Sequence, residues 1–201
     1  MSTPDDRTAK LAADRGRIAP IQLAHIVRRT SRFDALVQWY QTVLGAEVVH
    51  SDGTLAFLSY DDEHHRIAIV QIPGLDEQPA MAAGTDHVAF TYADLGDLLY
   101  TFARLKRGGI EPYWCINHGP TTSLYYKDPD GNRVELQVDN FANADEANRW
   151  MRDGEFAANP IGVIFDPDQL LARYRAGEAL GGLTTRPPLP EGVGPFDMLR
   201  F

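Results

Sequence analysis

The sequence predicts an α+β fold made of two paired βαβββ modules, and three observations carry that expectation. The order strand, amphipathic helix, strand, hairpin occurs twice in succession. A histidine stands at the same place in the opening strand of each copy, His25 in Ala24-His25-Ile26-Val27 and His87 in Asp86-His87-Val88-Ala89. The closing hairpins also superimpose, so that laying Thr54 on Thr121 lays Asp61 on Asp128, Arg66 on Arg133 and Ile67 on Val134.

The first copy, about residues 20–75, opens with an apolar strand over 21–30. A helix follows over 32–44, because Phe33, Leu36, Val37, Tyr40 and Leu44 recur at the spacing of one helical face, with Gly45 placed to end it. A short strand comes next, then a hairpin over 55–60 and 66–72. The second copy, about 84–140, repeats the order with a strand over 86–91 and a helix over 95–106 carrying Leu98, Leu99, Phe102 and Leu105. Its hairpin turns on Asp128-Pro129-Asp130-Gly131, a sequence that favours a tight reversal. Residues 1–19 are an N-terminal arm and 20–140 the paired domain. Residues 141–201 form a C-terminal extension that is helical near 145–152 and 168–179, then rich in proline and glycine, and is expected to be surface packing, a subunit contact or a lid.

Composition narrows the function. With 28 acidic against 19 basic residues the net charge is -9, which repels phosphate backbones and argues against nucleic acid. The single cysteine, Cys115, excludes an internal disulfide and a cysteine-built zinc site. No run reaches transmembrane length and the first twenty residues lack the apolar core of a signal peptide, so a cytoplasmic protein without a membrane partner is expected.

The copies differ at chemically telling positions. Glu135 in the second falls opposite Ala68 in the first, Tyr125 opposite Leu58, and the turn residues Gly131 and Asn132 opposite His64 and His65. If strand alternation extends backward from Ala68, His64 shares the face of Ala68 and His65 points away. Two imidazoles and one carboxylate, from His25, His87 and Glu135, form a ligand set that leaves adjacent positions open on an octahedral ion and suits non-haem Fe(II) working with dioxygen; Mn(II) is also allowed. Trp114 and Asn117, just before His118, are candidates for lining a substrate pocket.

The stretch from His118 through Leu124-Tyr125 and Asp128-Pro129 to Gly131 and Glu135 resembles the signature of the type I extradiol ring-cleaving catechol dioxygenases, within the vicinal oxygen chelate superfamily. The resemblance covers about residues 20–140. It implies metal ligands at His25, His87 and Glu135, an acid-base role for His64, and a substrate and oxygen pocket lined by His118 and Tyr125. Many such enzymes carry four βαβββ units; a chain with two resembles the short, single-domain form. The partners implied are a small aromatic diol, ring-substituted or bicyclic, and O2, in a homo-oligomer of two or more copies. The alternatives are a glyoxalase-like isomerase or lyase, which would draw a fourth ligand from the position of Ala68, and a metal-free protein that sequesters a small molecule.

Overall fold

A computed structural model describes residues 18–76, 79 and 82–200. All but the last two residues of the expected N-terminal arm, and most of the stretch read for a signal peptide, lie outside them. In the first module β1 (Ile26–Thr30), α1 (Phe33–Leu44), β2 (Glu47–Ser51), β3 (Leu55–Ser59) and β4 (Ile67–Gln71) form a sheet ordered β1-β4-β3-β2. The second runs β5 (His87–Thr91), α2 (Leu95–Arg107), β6 (Trp114–Asn117), β7 (Thr121–Lys127) and β8 (Arg133–Asp139), with the sheet order β5-β8-β7-β6. In both, the first strand lies parallel to the last and the others are antiparallel. The helix supplies the crossover that a parallel pair requires.

Alternation along the strands divides each sheet into two faces. Ala56, Leu58, Ile67 and Ile69 of the first sheet and Leu124, Tyr126, Val134, Leu136 and Val138 of the second pack with the two helices in one core. In α1 the buried residues are Phe33, Leu36, Trp39, Tyr40 and Val43, and in α2 they are Leu95, Leu98, Leu99, Thr101, Phe102 and Leu105, each set a single helical stripe. Gly45 closes α1 at φ 66°, a conformation that favours glycine, and the Asp94 carboxylate caps α2 by accepting from the Asp97 N–H at 2.9 Å.

The modules are pinned to each other through polar groups in this core. Asp128, 4% exposed, accepts from the Tyr40 hydroxyl at 3.2 Å while also accepting from the backbone N–H groups of Asp130 and Asn132. Arg28 donates to the same Tyr40 oxygen at 3.0 Å, and Arg104 of α2 donates to the Val43 carbonyl at the end of α1. One carboxylate therefore both shapes the β7–β8 turn and ties it to the first helix.

Two register expectations are corrected. The pairs Leu58 with Ile67 and Tyr126 with Val134 are equivalent in the two sheets, and residues 59–66 separate the first pair against 127–133 for the second. The first turn is thus one residue longer, so Phe57 rather than Leu58 occupies the position of Tyr125. His64 is corrected for a related reason. β4 begins only at Ile67, and residues 61–64 form a bend, so the alternation does not reach His64.

The C-terminal segment comprises α3 (Ala144–Arg152), α4 (Glu155–Ala158), β9 (Val163–Ile164), α5 (Pro167–Arg175), α6 (Leu180–Thr184) and a 3-10 turn (Pro195–Met198). It is integral to the second module. β9 adds to the sheet beside β6, Leu170 and Leu183 enter the main core, and Ile161, Ile164, Leu189, Val193 and Met198 pack around Tyr113, Trp114, Ile116 and Tyr125 on the opposite face. No helix among the described residues is long and apolar enough to cross a membrane.

Two outcomes follow from this packing. Asp128→Ala is expected to lower stability by about 1–3 kcal/mol by urea denaturation, because it strips acceptors from several buried donors, whereas exposed Asp62→Ala should change it by less than about 0.5 kcal/mol. Burial pushes the Cys115 thiol up to about 12, so a thiol reagent at pH 8 should label the native protein far more slowly than the urea-unfolded chain.

Candidate active site

The face of the second sheet turned away from the helices holds most of the candidate residues. Cross-strand pairs Ala89 with Glu135, Tyr125 with Glu135, and Trp114 with Tyr125 place these side chains side by side on that face. His87, at the first position of β5, reaches Glu135 with Nε2 3.0 Å from Oε2. Its other nitrogen, Nδ1, lies 2.8 Å from Asp86 Oδ1, and Arg133 holds that carboxylate at 2.7 Å. His87 therefore has a carboxylate on each ring nitrogen.

Electrostatics favour the charged form of both partners. The hydrogen bond to Glu135 raises His87 to about 9, against the desolvation that opposes it and with support from Asp86. Burial pulls Glu135 upward, but the hydrogen bonds from His87 and Ser123 outweigh it and hold the carboxyl below its ordinary range. The proton shared by His87 and Glu135 sits where a metal ion bonded to both would compete with it.

Aromatic groups wall the pair. The Tyr125 ring meets His87 edge-on at 5.3 Å and lies 4.6 Å from Trp114, with Tyr113 at 6.3 Å. His118 Nε2 is 3.0 Å from the Tyr125 hydroxyl, and its Nδ1 hydrogen-bonds the Ile161 carbonyl. Burial raises the Tyr125 hydroxyl, as does the Glu135 charge, so it remains a proton donor; burial lowers His118, which favours the neutral imidazole. The Tyr113 hydroxyl and the Trp114 indole N–H are buried without a hydrogen-bond partner among the described residues. A cleft of 780 Å³ between β1 and the β7–β8 turn reaches this cluster only at His87.

The structure thus brings together His87, Glu135, His118, Tyr125 and Trp114 from the residues expected on sequence grounds. Asn117 does not join them. It lies an odd number of positions from Trp114 on one strand and so faces the other way, 4% exposed, with its amide donating to the Thr184 carbonyl and accepting from the Gly119 N–H. His64 is also elsewhere, with its side chain 70% exposed and hydrogen-bonded beside Glu63. His25, exposed just ahead of β1, lies 4.5 Å from the tilted ring of His65, which in turn stacks on Phe57 at 4.4 Å. Among the described residues no three His, Cys, Asp or Glu side chains of one chain are gathered to hold a metal ion. His87 and Glu135 fit a metal; within one chain His25 does not complete the set.

Sequence reasoning missed Tyr113 and the apolar wall of Ile161, Leu189, Val193 and Met198. Tyr113 precedes the strand, and its distance from Trp114 gives no clue that both rings meet Tyr125. The wall comes from a segment outside the repeat, where no internal symmetry indicates which side chains turn inward.

Comparison with known proteins agrees with this architecture. Residues 22–136 match the Glyoxalase/Bleomycin resistance protein/Dioxygenase superfamily. Two curated relatives from Rhodococcus globerulus are similar over most of their length. Biphenyl-2,3-diol 1,2-dioxygenase 2 is 48% identical over 82% of this chain and 87% of its own, and biphenyl-2,3-diol 1,2-dioxygenase 3 is 46% identical over 82% and 88%. Among solved structures, an integron cassette protein from the mobile metagenome of the Halifax Harbour sewage outfall shares the fold, with TM-score 0.50 and 18% identity over 59% of this chain and 99% of that one. With its paired modules, its placement of His87 against Glu135 and these relatives, the chain belongs to the Glyoxalase/Bleomycin resistance protein/Dioxygenase superfamily.

Proposed function

We propose that the protein is an extradiol dioxygenase that opens the ring of a catechol, ring-substituted or bicyclic, with O2 in the cytoplasm. The observation that carries this reading is the contact of His87 with Glu135 under a wall of aromatic side chains, in a chain about half identical to two biphenyl-2,3-diol 1,2-dioxygenases. Those relatives favour oxygenase chemistry over isomerisation or metal-free sequestration.

A metal cofactor belongs to this reading, Fe(II) first and Mn(II) second, held by His87 and Glu135 with His25 as the third ligand. When bound, the metal supplies a Lewis acid for the two substrate oxygens and a conduit for electrons to dioxygen. The protein supplies the rest. Trp114, Tyr113 and Tyr125 back the site with aromatic rings, and the Tyr113 hydroxyl and Trp114 N–H are buried donors among them. Tyr125 stays protonated at neutral pH, and His118, neutral and with Nε2 turned to the Tyr125 hydroxyl, is the base that draws the proton of a substrate hydroxyl through it. The acid-base role that sequence resemblance gives His64 is extended on this reading to His118, while His64 stands in the first module against His65, the neighbour of His25.

A second copy of the chain completes the ligand set. His25 sits with His65 and Phe57 on the first sheet, whose surroundings leave Leu23 71%, Val27 55% and Val49 58% exposed. A partner laid on that surface covers the apolar side chains and brings its own His87 and Glu135 to His25.

The direct test is oxygen consumption with an absorbance scan, using protein loaded anaerobically with Fe(II) and given catechol, 3-methylcatechol and 2,3-dihydroxybiphenyl. Stoichiometric uptake with a yellow product is expected; bound iron with no uptake on any diol contradicts the proposal. Glu135→Ala should lose bound metal and lower turnover by more than about 100-fold. Mixing His25→Ala with Glu135→Ala, each inactive alone, should restore about a quarter of the wild-type activity if the site is shared between two copies, and none if one chain builds it.

A further inference from the structure

The C-terminal extension does more than cover the second sheet: one of its carbonyls is aimed at a ring nitrogen of His118. Residues 159–164 cross the end of β6, and the Ile161 carbonyl accepts the hydrogen bond at His118 Nδ1. A carbonyl oxygen only accepts, so Nδ1 carries a proton in every state that keeps this bond. In the neutral imidazole Nε2 is then bare, and the Tyr125 hydroxyl, 3.0 Å away, donates to it.

The strap that presents this carbonyl is held by three separate devices. Asn159, 6% exposed, accepts from the N–H groups of Ile161 and Gly162 at 3.2 and 2.8 Å and donates to the Gly162 carbonyl at 2.9 Å, which fixes the bend around Ile161. Gly162, at φ 123°, lies so close to the strand end that a Cβ there would stand 2.4 Å from the Asn117 carbonyl oxygen. Arg186 donates to the carbonyls of Asn159 at 2.7 Å, His118 at 3.2 Å and Glu155 at 3.1 Å, with its guanidinium 4.7 Å from the centre of the Trp150 ring. One guanidinium thus ties the backbone of His118 to the strap that hydrogen-bonds its ring.

We propose that the 159–164 strap, held by Asn159 and Arg186, fixes the Nδ1–H tautomer and the ring orientation of His118, which makes Asn159 and Arg186 positioning residues of the active site. The proposal rests on His118 serving the dioxygenase reaction assigned above. There the proton of a substrate hydroxyl passes to the Tyr125 oxygen as the Tyr125 proton passes to Nε2. The resulting imidazolium keeps Nδ1–H on Ile161 and donates Nε2–H to the Tyr125 oxygen, whose new proton faces the substrate oxygen. In the opposite tautomer Nε2 already carries a proton and the ring cannot act as the base.

Long-range nitrogen–proton correlation spectra of the full-length protein with 15N-labelled histidine test this, with His118 assigned by its absence in His118→Asn. The wild type should show His118 protonated at Nδ1. Arg186→Ala and Asn159→Ala should populate the Nε2–H form and reduce kcat by about 10- to 100-fold, with KM and bound metal little changed and Arg186→Lys recovering part of the loss. An Nε2–H ring in the wild type overturns the proposal, as does an unaltered tautomer in Arg186→Ala; both readings stand even if Asn159→Ala fails to fold. Because the spectra do not require turnover, a strap-dependent Nδ1–H tautomer in a protein inert toward every diol overturns the dioxygenase reading and leaves the positioning intact.

Discussion

A carboxylate 4% exposed in the middle of a sheet is the constraint around which this structure is arranged. Burying Glu135 without a partner would cost several kcal/mol, and the fold answers with His87 on the neighbouring strand and Ser123 across the hairpin. His87 is in turn oriented by Asp86, and Asp86 by Arg133, so the charge pattern propagates outward to solvent through three residues. Such a chain of compensation is expensive to maintain for stability alone, since the equivalent position in the first sheet is filled by Ala68, 4% exposed, at no electrostatic cost. That asymmetry is the reason for placing the candidate site on the second sheet.

Much of this was legible in the sequence because it rests on periodicity. The apolar stripes of α1 and α2 and the side of the sheet taken by Glu135 follow from spacings of 3.6 and 2 residues. Sliding one copy on the other also singled out His87 and Glu135, whose side chains lie 3.0 Å apart. The same device misled where the copies are unequal. A single additional residue before β4 shifts Phe57 into the place of Tyr125, and the bend at 61–64 carries His64 into solvent. Asn117 was a different kind of error, since alternation along β6 already sets it on the opposite face from Trp114.

What lay beyond the sequence is long-range. Nothing in the spelling of residues 159–200 states that Ile161 turns its carbonyl to His118, or that Arg186 spans three carbonyls, because these contacts join positions 27 to 68 residues apart. Nor does the repeat reveal whether the two half-sites, His25 with His65 and His87 with Glu135, face each other within a chain. No trio of ligands is gathered among the described residues of one chain, and the exposed apolar surface near β1 is part of the same question.

Every role proposed for this site depends on where a metal binds. An anomalous-scattering map of crystals of the Fe(II)-loaded protein, collected on both sides of the iron absorption edge, addresses that position directly. The account predicts one strong peak per chain bonded to His87 Nε2 and the Glu135 carboxylate, with His25 as the third protein ligand. Iron bound at any other group of side chains, with His87 still hydrogen-bonded to Glu135, would contradict it.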